Sequence, residues 1–296
     1  KICFYTFTFL PTVGGAEFLL HGLAESLAGR GHAVTVWAPN VRGVDNRIRS
    51  TYRLCRYPRP SSKRFGVRQT LPFLIWEKFR RGIDLLHCHG AYPAAYVGAT
   101  AKRLFRIPML VRPHGSDILK NEWIRKDARL ERRMILSLLA SDCVVAQGAD
   151  MAKEIAALGV PPDRIETIHN GIGRTPIRPA DATPQDASAA PYLFSMGSLS
   201  SKKGYDILLR AFHILSGEFP NLRLVIAGSG ARLPEWVDLA SQLSMTDRIR
   251  WAGEVQGEKK QELLAGAMLY VCPSRREPFS NALLEALSFG KAIVAT

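Results

Sequence analysis

Two carboxylates near the end of the chain, Glu277 and Glu285, have seven residues between them in the stretch Ser274–Phe289, SRREPFSNALLEALSF. An apolar run, Met268–Cys272, precedes them, and Ala282, Leu283, Ala286 and Leu287 follow at helical spacing. That order predicts Glu277 on the loop after a buried strand and Glu285 in the first turns of the next helix. Ser280 stands where an N-cap belongs, and a helix start offers backbone N–H groups to an anion. A loop carboxylate, backbone donors and a helix carboxylate together suit a ligand with hydroxyls and phosphates. A sugar nucleotide has that chemistry.

Other stretches carry weaker signals. Gly14-Gly15-Ala16-Glu17 lies between the first strand and its helix, where glycine lets a ligand approach the backbone and the helix start favours negative charge. No G-x-G-x-x-G string is present, which argues against a nicotinamide site. His114-Gly115-Ser116-Asp117 reads as a loop histidine followed by a helix-capping aspartate. His87 and His89 flank Cys88, so on a strand they share one face. Further ligands for a metal are missing around them, and no metal site is expected. His89, at the strand's C-terminal end, is placed to line a ligand crevice. Gly228-Ser229-Gly230 reads as a tight turn.

The elements that must position these residues follow one pattern: strand, turn, helix, repeated. Strands are predicted at Ile2–Phe9, Ala33–Ala38, Asp84–His89, Pro108–Arg112, Cys143–Ala146 and Arg164–Ile168, with intervening helices that include Asn121–Ala140. From Gly173 to Pro191 the periodicity gives way to Pro, Ala, Asp and Thr, which predicts a linker at residues 176–190. A second run of short strands and helices occupies 191–296. Such alternation predicts an α/β protein with two doubly wound, mainly parallel sheets, the first over residues 1–175. A last strand at Ala292–Ala295 with no helix after it suggests that the second domain is partial and continues beyond this sequence.

With 296 residues, 47% apolar and 22% charged, the chain can bury two cores. No apolar stretch reaches the roughly 20 residues of a membrane-spanning helix. Five cysteines without a C-x-x-C pair fit reduced thiols in a cytoplasmic protein. The net charge of +14 calls for an anionic partner or surface. It is concentrated between Arg42 and Arg81, where twelve lysines and arginines face only Asp45 and Glu77. Leu71–Phe79 adds an apolar face, so an anionic membrane surface or a lipid-linked acceptor is the expected partner, with the protein peripheral at the inner face of the membrane. A merely solvated surface is the alternative. No nucleic-acid motif accompanies the charge.

The string E-P-F-S-N-A-L-L-E-A resembles the E-x7-E signature of retaining glycosyltransferases of the GT-B fold, family 4. The resemblance runs over essentially the whole chain. Lys203-Gly204 is similar to the family's K-G element, Gly14-Gly15 to its N-terminal G-G loop, and His114-Gly115-Ser116-Asp117 to its H-G-x-D. It implies two Rossmann-like domains facing across a cleft, the N-terminal one on the acceptor side and the C-terminal one binding the nucleotide sugar. It also implies donor-binding roles for Gly15, Ser198, Lys203, Phe279, Ser280, Asn281 and Glu285. Among these, Glu285 would hold the ribose and Lys203 the diphosphate. His114 and Glu277 would be the catalytic pair orienting the transferred sugar, with Gly14 and Asp117 on the acceptor side.

The implied reaction moves a sugar from a UDP- or GDP-linked donor to a polysaccharide or lipid-linked acceptor in cell-envelope glycan synthesis, without a metal or other cofactor. Two departures stand out. Ser198 occupies the position where the family usually has an arginine; a lost charge-assisted hydrogen bond corresponds to about ten- to a hundredfold in donor affinity unless Lys202 substitutes. Gly173 replaces the aspartate of the family's P-N-G-V-D, which His169-Asn170-Gly171-Ile172 otherwise resembles. A non-catalytic donor-binding or membrane-docking protein and a sugar-nucleotide epimerase of similar fold are the alternatives.

Overall fold

The computed structural model of the protein describes residues 1–12, 14–60, 67–120, 122–171, 190–277 and 279–296. The chain divides into two compact units, Lys1–Gly171 and Ile172–Thr296. The linker expected at 176–190 lies outside the described residues apart from Ala190, as do Pro278 and Gly173.

In the first unit, β1 (Ile2–Thr6), α1 (Gly15–Gly29), β2 (Val34–Pro39), β3 (Arg53–Tyr57), α2 (Leu71–Arg81), β4 (Leu85–His89) and α3 (Ala94–Phe105) follow one another. Then come β5 (Met109–Arg112), α4 (Ala128–Leu139), β6 (Cys143–Ala146), α5 (Ala149–Ala157) and β7 (Ile165–Thr167). The seven strands form one sheet in the order β3-β2-β1-β4-β5-β6-β7, all pairs parallel. Both faces of β1 are buried, as a parallel sheet covered on two sides requires. Cys3 and Tyr5 pack with Leu74 and Ala94, while Phe4 packs on the other side with Leu20 and Ala24. The order reverses between β1 and β4, so the loops after these strands leave the sheet at its switch point.

The second unit repeats the plan with β8 (Tyr192–Met196), α6 (Tyr205–Glu218), β9 (Arg223–Ala227), α7 (Leu233–Gln242) and β10 (Ile249–Gly253). It continues through α8 (Gly257–Gly266), β11 (Leu269–Cys272), α9 (Asn281–Ser288) and β12 (Ala292–Ala295). Its sheet order is β10-β9-β8-β11-β12, again parallel, with the reversal between β8 and β11. The Lys203 loop follows β8 and the Glu277 loop follows β11. Each sheet therefore delivers its sequence motifs to its own switch point.

Two elements differ from the sequence reading. β3 falls inside the basic stretch, where RLCRY hides a strand: Arg53 reaches the buried Glu77 at 2.7 Å and Arg56 spans the carbonyls of Pro39, Leu10 and Asn46. The helix expected from Asn121 begins only at Ala128. Asp127 is extended and caps it, its carboxylate accepting from the N–H groups of Arg129 and Leu130, and residues 123–126 form a separate 3-10 turn. The five cysteines are free thiols, all on strands, with Cys3, Cys88 and Cys272 buried.

Candidate functional site

In the first unit the polar residues gather at the C-terminal ends of β1, β4 and β5. His87 and His89 do share a face, their rings 5.7 Å apart, and His114 lies beside His89 with ring centroids at 4.0 Å. His89 Nε2 is 3.1 Å from the carbonyl of Ala16 at the start of α1. A carbonyl only accepts, so Nε2 carries the proton and Nδ1, which has no protein partner, is bare. Burial, joined by the Arg112 guanidinium, pushes His89 down to about 3 and holds His87 and His114 well below the usual histidine range. All three rings are neutral at physiological pH. Among the described residues no group of three or more His, Cys, Asp or Glu is arranged to hold a metal ion.

Asp117 is buried, one carboxylate oxygen accepting from the N–H of His114 at 2.8 Å and the other from Ala91 at 2.6 Å. Burial raises its pKa although these bonds oppose the shift. Expected on the acceptor side, Asp117 is a brace: it ties the loop after β5 to the loop after β4. Gly14 caps α1 in an extended conformation, and a Cβ there would strike the Glu17 carboxylate, which folds back over it. Gly15 is the first residue of α1. The anion-favouring start of this helix thus already carries its own acid. Arg112 is buried and binds the carbonyl of Ile168 and the side chain of Asn170.

In the second unit the site is charged. Lys203 forms an ion pair with Glu277, joining the loops after β8 and β11. Gly204 permits this approach: its φ is +65°, and a Cβ would collide with the carbonyl of Pro273. Glu277 sits on the loop after the buried strand, Ser280 caps α9 by accepting from the N–H of Leu283 at 3.2 Å, and Glu285 lies in the second turn. Phe279 and Asn281 flank the cap on either side. Ser198 is exposed, its hydroxyl 3.4 Å from that of Ser200. Gly228 and Gly230 press their backbone against Gly197 and Leu199, where side chains would not fit, so this turn packs the Ser198 loop.

Three participants escaped the sequence reading. Lys260 on α8 makes an ion contact with Glu285 at 2.8 Å, outside the alignment of a hydrogen bond. Its surroundings, GEKKQE, look like a solvated helix face. Arg275 forks onto Asp206 at 2.8 and 2.6 Å and onto the carbonyl of Ser201, bracing the Lys203 loop and holding the Asp206 carboxyl below the usual range. Gln147, buried after β6, touches His114. Only the density of Arg in SRRE hinted at any of them.

The basic stretch is partly consumed by the fold. Arg53 and Arg56 are structural, and α2 turns Leu74 and Glu77 inward. Trp76 and Phe79 face outward, Phe79 at 76% exposure, beside the exposed Arg80 and Arg81. Lys63 and Arg64 lie outside the described residues. Among the described residues no helix is long and apolar enough to cross a membrane.

Residues 13–174 match the family described as Glycosyltransferase Family 4, and residues 181–296 match Glycosyl transferases group 1. An uncharacterized glycosyltransferase of Methanocaldococcus jannaschii is 28% identical over all of this chain and 80% of its own length. The N-acetyl-alpha-D-glucosaminyl L-malate synthase of Bacillus anthracis is 25% identical over 98% of this chain and 77% of its own. Among solved structures, Anabaena HepE in complex with UDP and glucose aligns with a TM-score of 0.78 and 19% identity, over 100% of this chain and 80% of that one.

Proposed function

This chain belongs to glycosyltransferase family 4 and is a glycosyltransferase of the GT-B fold, and on that premise we propose that it transfers a sugar, with retention, from a UDP- or GDP-linked donor to a glycan or lipid-linked acceptor. The observation that carries the reading is the gathering of Lys203, Glu277, the Ser280 cap and Glu285 at one switch point.

In this reading Glu285 accepts from the ribose hydroxyls. Lys203 and the start of α9, with Ser198 and Asn281, stabilise the departing diphosphate, where the largest charge develops. Phe279 belongs to the same donor loop. Glu277 accepts from the transferred sugar and His114 donates to it, which orients the anomeric carbon. Gly15 at the start of α1 belongs to the donor and Gly14 to the acceptor side in this reading, where a ligand would displace the Glu17 carboxylate that now covers Gly14, and Asp117 acts through the loops it braces. No metal ion is required, because lysine and the helix start supply the positive charge. HepE's complex with UDP and glucose supports a nucleotide-sugar donor.

Trp76, Phe79, Arg80 and Arg81 support a further element of the reading, attachment to an anionic membrane on the cytoplasmic side. Phe79→Asp should then weaken co-sedimentation with anionic liposomes, and equal binding to neutral liposomes would remove this element.

Calorimetric titration of UDP-sugars and GDP-sugars tests the donor site. One nucleotide class should bind, with Lys203→Ala and Glu285→Ala each weakening it, and acceptor-dependent release of the nucleotide should follow. Binding without turnover would favour a donor-binding protein, and interconversion of the donor without acceptor an epimerase.

A further inference from the structure

We propose that Gln147 is a positioning residue that holds His114 as its Nε2–H tautomer, making the ring a fixed hydrogen-bond donor to an oxygen of the transferred sugar and not a base. The role for the sugar rests on the function proposed above; the tautomer rests on geometry alone.

The amide of Gln147 is buried, and its Nε2 lies 2.9 Å from the carbonyl of Pro113. A carbonyl cannot donate, so the amide must present its nitrogen there and not its oxygen. The same nitrogen lies 3.1 Å from His114 Nδ1. An amide nitrogen does not accept, so its second hydrogen points to Nδ1, which must be bare. Burial and the neighbouring His89 and Arg112 keep the ring neutral, and a neutral ring with a bare Nδ1 carries its proton on Nε2.

That Nε2–H has no protein partner. His89 does not take it by hydrogen bonding, although the two rings are 4.0 Å apart. A buried donor left unpaired is costly, and a sugar hydroxyl or ring oxygen would satisfy it. The ring as a whole is half-buried, so a small displacement of its cover admits the ligand. Its single lone pair is already engaged by Gln147, so it cannot collect the proton of an attacking hydroxyl. The backbone of Gln147 is fixed as well, since its carbonyl accepts from His169 Nδ1 at 2.8 Å.

The test uses the whole protein with 15N-labelled histidine, together with turnover of the UDP- or GDP-sugar it binds, read as released nucleotide. Wild-type His114 should show a protonated Nε2 and a bare, hydrogen-bonded Nδ1. Gln147→Glu has no hydrogen to give and accepts one instead, so the proton should move to Nδ1 and kcat should fall about tenfold or more. Gln147→Met neither gives nor accepts and should produce a mixed tautomer with a smaller loss. Nucleotide affinity, carried by the second unit, should stay unchanged in both variants, and amide hydrogen-exchange protection of the first unit shows that the unit holding Gln147 is folded. A wild-type ring protonated on Nδ1, or a folded Glu or Met variant with an altered tautomer and undiminished kcat, overturns the proposal. If wild-type protein turns over no nucleotide sugar while His114 still carries its proton on Nε2, the proposed function fails and the sugar role with it, although the tautomer assignment survives.

Discussion

The two switch points are built from opposite materials. The first unit gathers neutral imidazoles, a buried guanidinium and a buried carboxyl whose oxygens are spent on backbone N–H groups. The second gathers opposite charges in pairs, Lys203 with Glu277, Lys260 with Glu285 and Arg275 with Asp206, each partly open to water. A group cut off from water is held in one protonation state by its hydrogen bonds. A half-exposed ion pair can exchange one partner for an incoming ion at little cost, because water and the ligand share the desolvation. The difference suits neutral sugar hydroxyls to the first unit and a nucleoside diphosphate to the second.

Acid should separate the units most strongly. The folded-state pKa values of His87, His89 and His114 lie below the unfolded value near 6.5. Between the two values the unfolded chain binds more protons. The stability these rings contribute is therefore fully present above about pH 6.5 and is lost as pH falls, toward about 3 for His89. Asp117 has the opposite sign: with its folded-state pKa raised, the folded state takes up its proton first as pH falls toward about 3.9, which offsets part of the histidine loss inside the same window. Amide hydrogen exchange at pH 7 and pH 5 should show the first unit losing protection well before the second. Equal losses in both units would break the contrast.

Next in size is exchange at the Lys203–Glu277 pair. Lys203→Ala should weaken UDP or GDP binding about ten- to a hundredfold, since a charge-assisted bond to phosphate disappears. Glu277→Gln should abolish transfer yet leave nucleotide affinity equal or higher, because Lys203 is released from its partner. If both variants weakened nucleotide binding alike, the pair would be a structural tie and not an exchangeable one.

Ser198→Arg sharpens the comparison in the other direction. Ser198 is exposed, so a guanidinium there should add a charge-assisted bond and tighten nucleotide binding about tenfold by calorimetry. An unchanged affinity would mean that the Ser198 loop does not meet the phosphates. Arg275→Ala should have the smallest effect, because its pair with Asp206 is about two-fifths exposed. Thermal unfolding of the second unit should shift down by about 1–3 °C, with nucleotide affinity changed less than about threefold.

Legibility in the sequence followed how local each feature is. Ser280 as a cap and Glu285 on the helix depend on residues three to five apart, so spacing alone placed them. β3 was missed because its hydrophobic pattern is replaced by arginines whose partners, Glu77 and Pro39, come from other strands and helices. The long helix from Asn121 was overextended because Asp127 breaks it by capping, a competition that hydrophobic period does not register. Gln147 and Lys260 were invisible for the same reason as Arg53. Each acts on a residue more than twenty positions away.

The sequence by itself determined the alternation of strand and helix, the two sheets, the residue types of the donor motif and the family they belong to, because period, turns and caps are short-range. Only the tertiary structure decided which charges are paired, which imidazoles are neutral and which ring nitrogen holds the proton. Those properties depend on burial and on partners brought together by chain crossings, and no linear spacing encodes them.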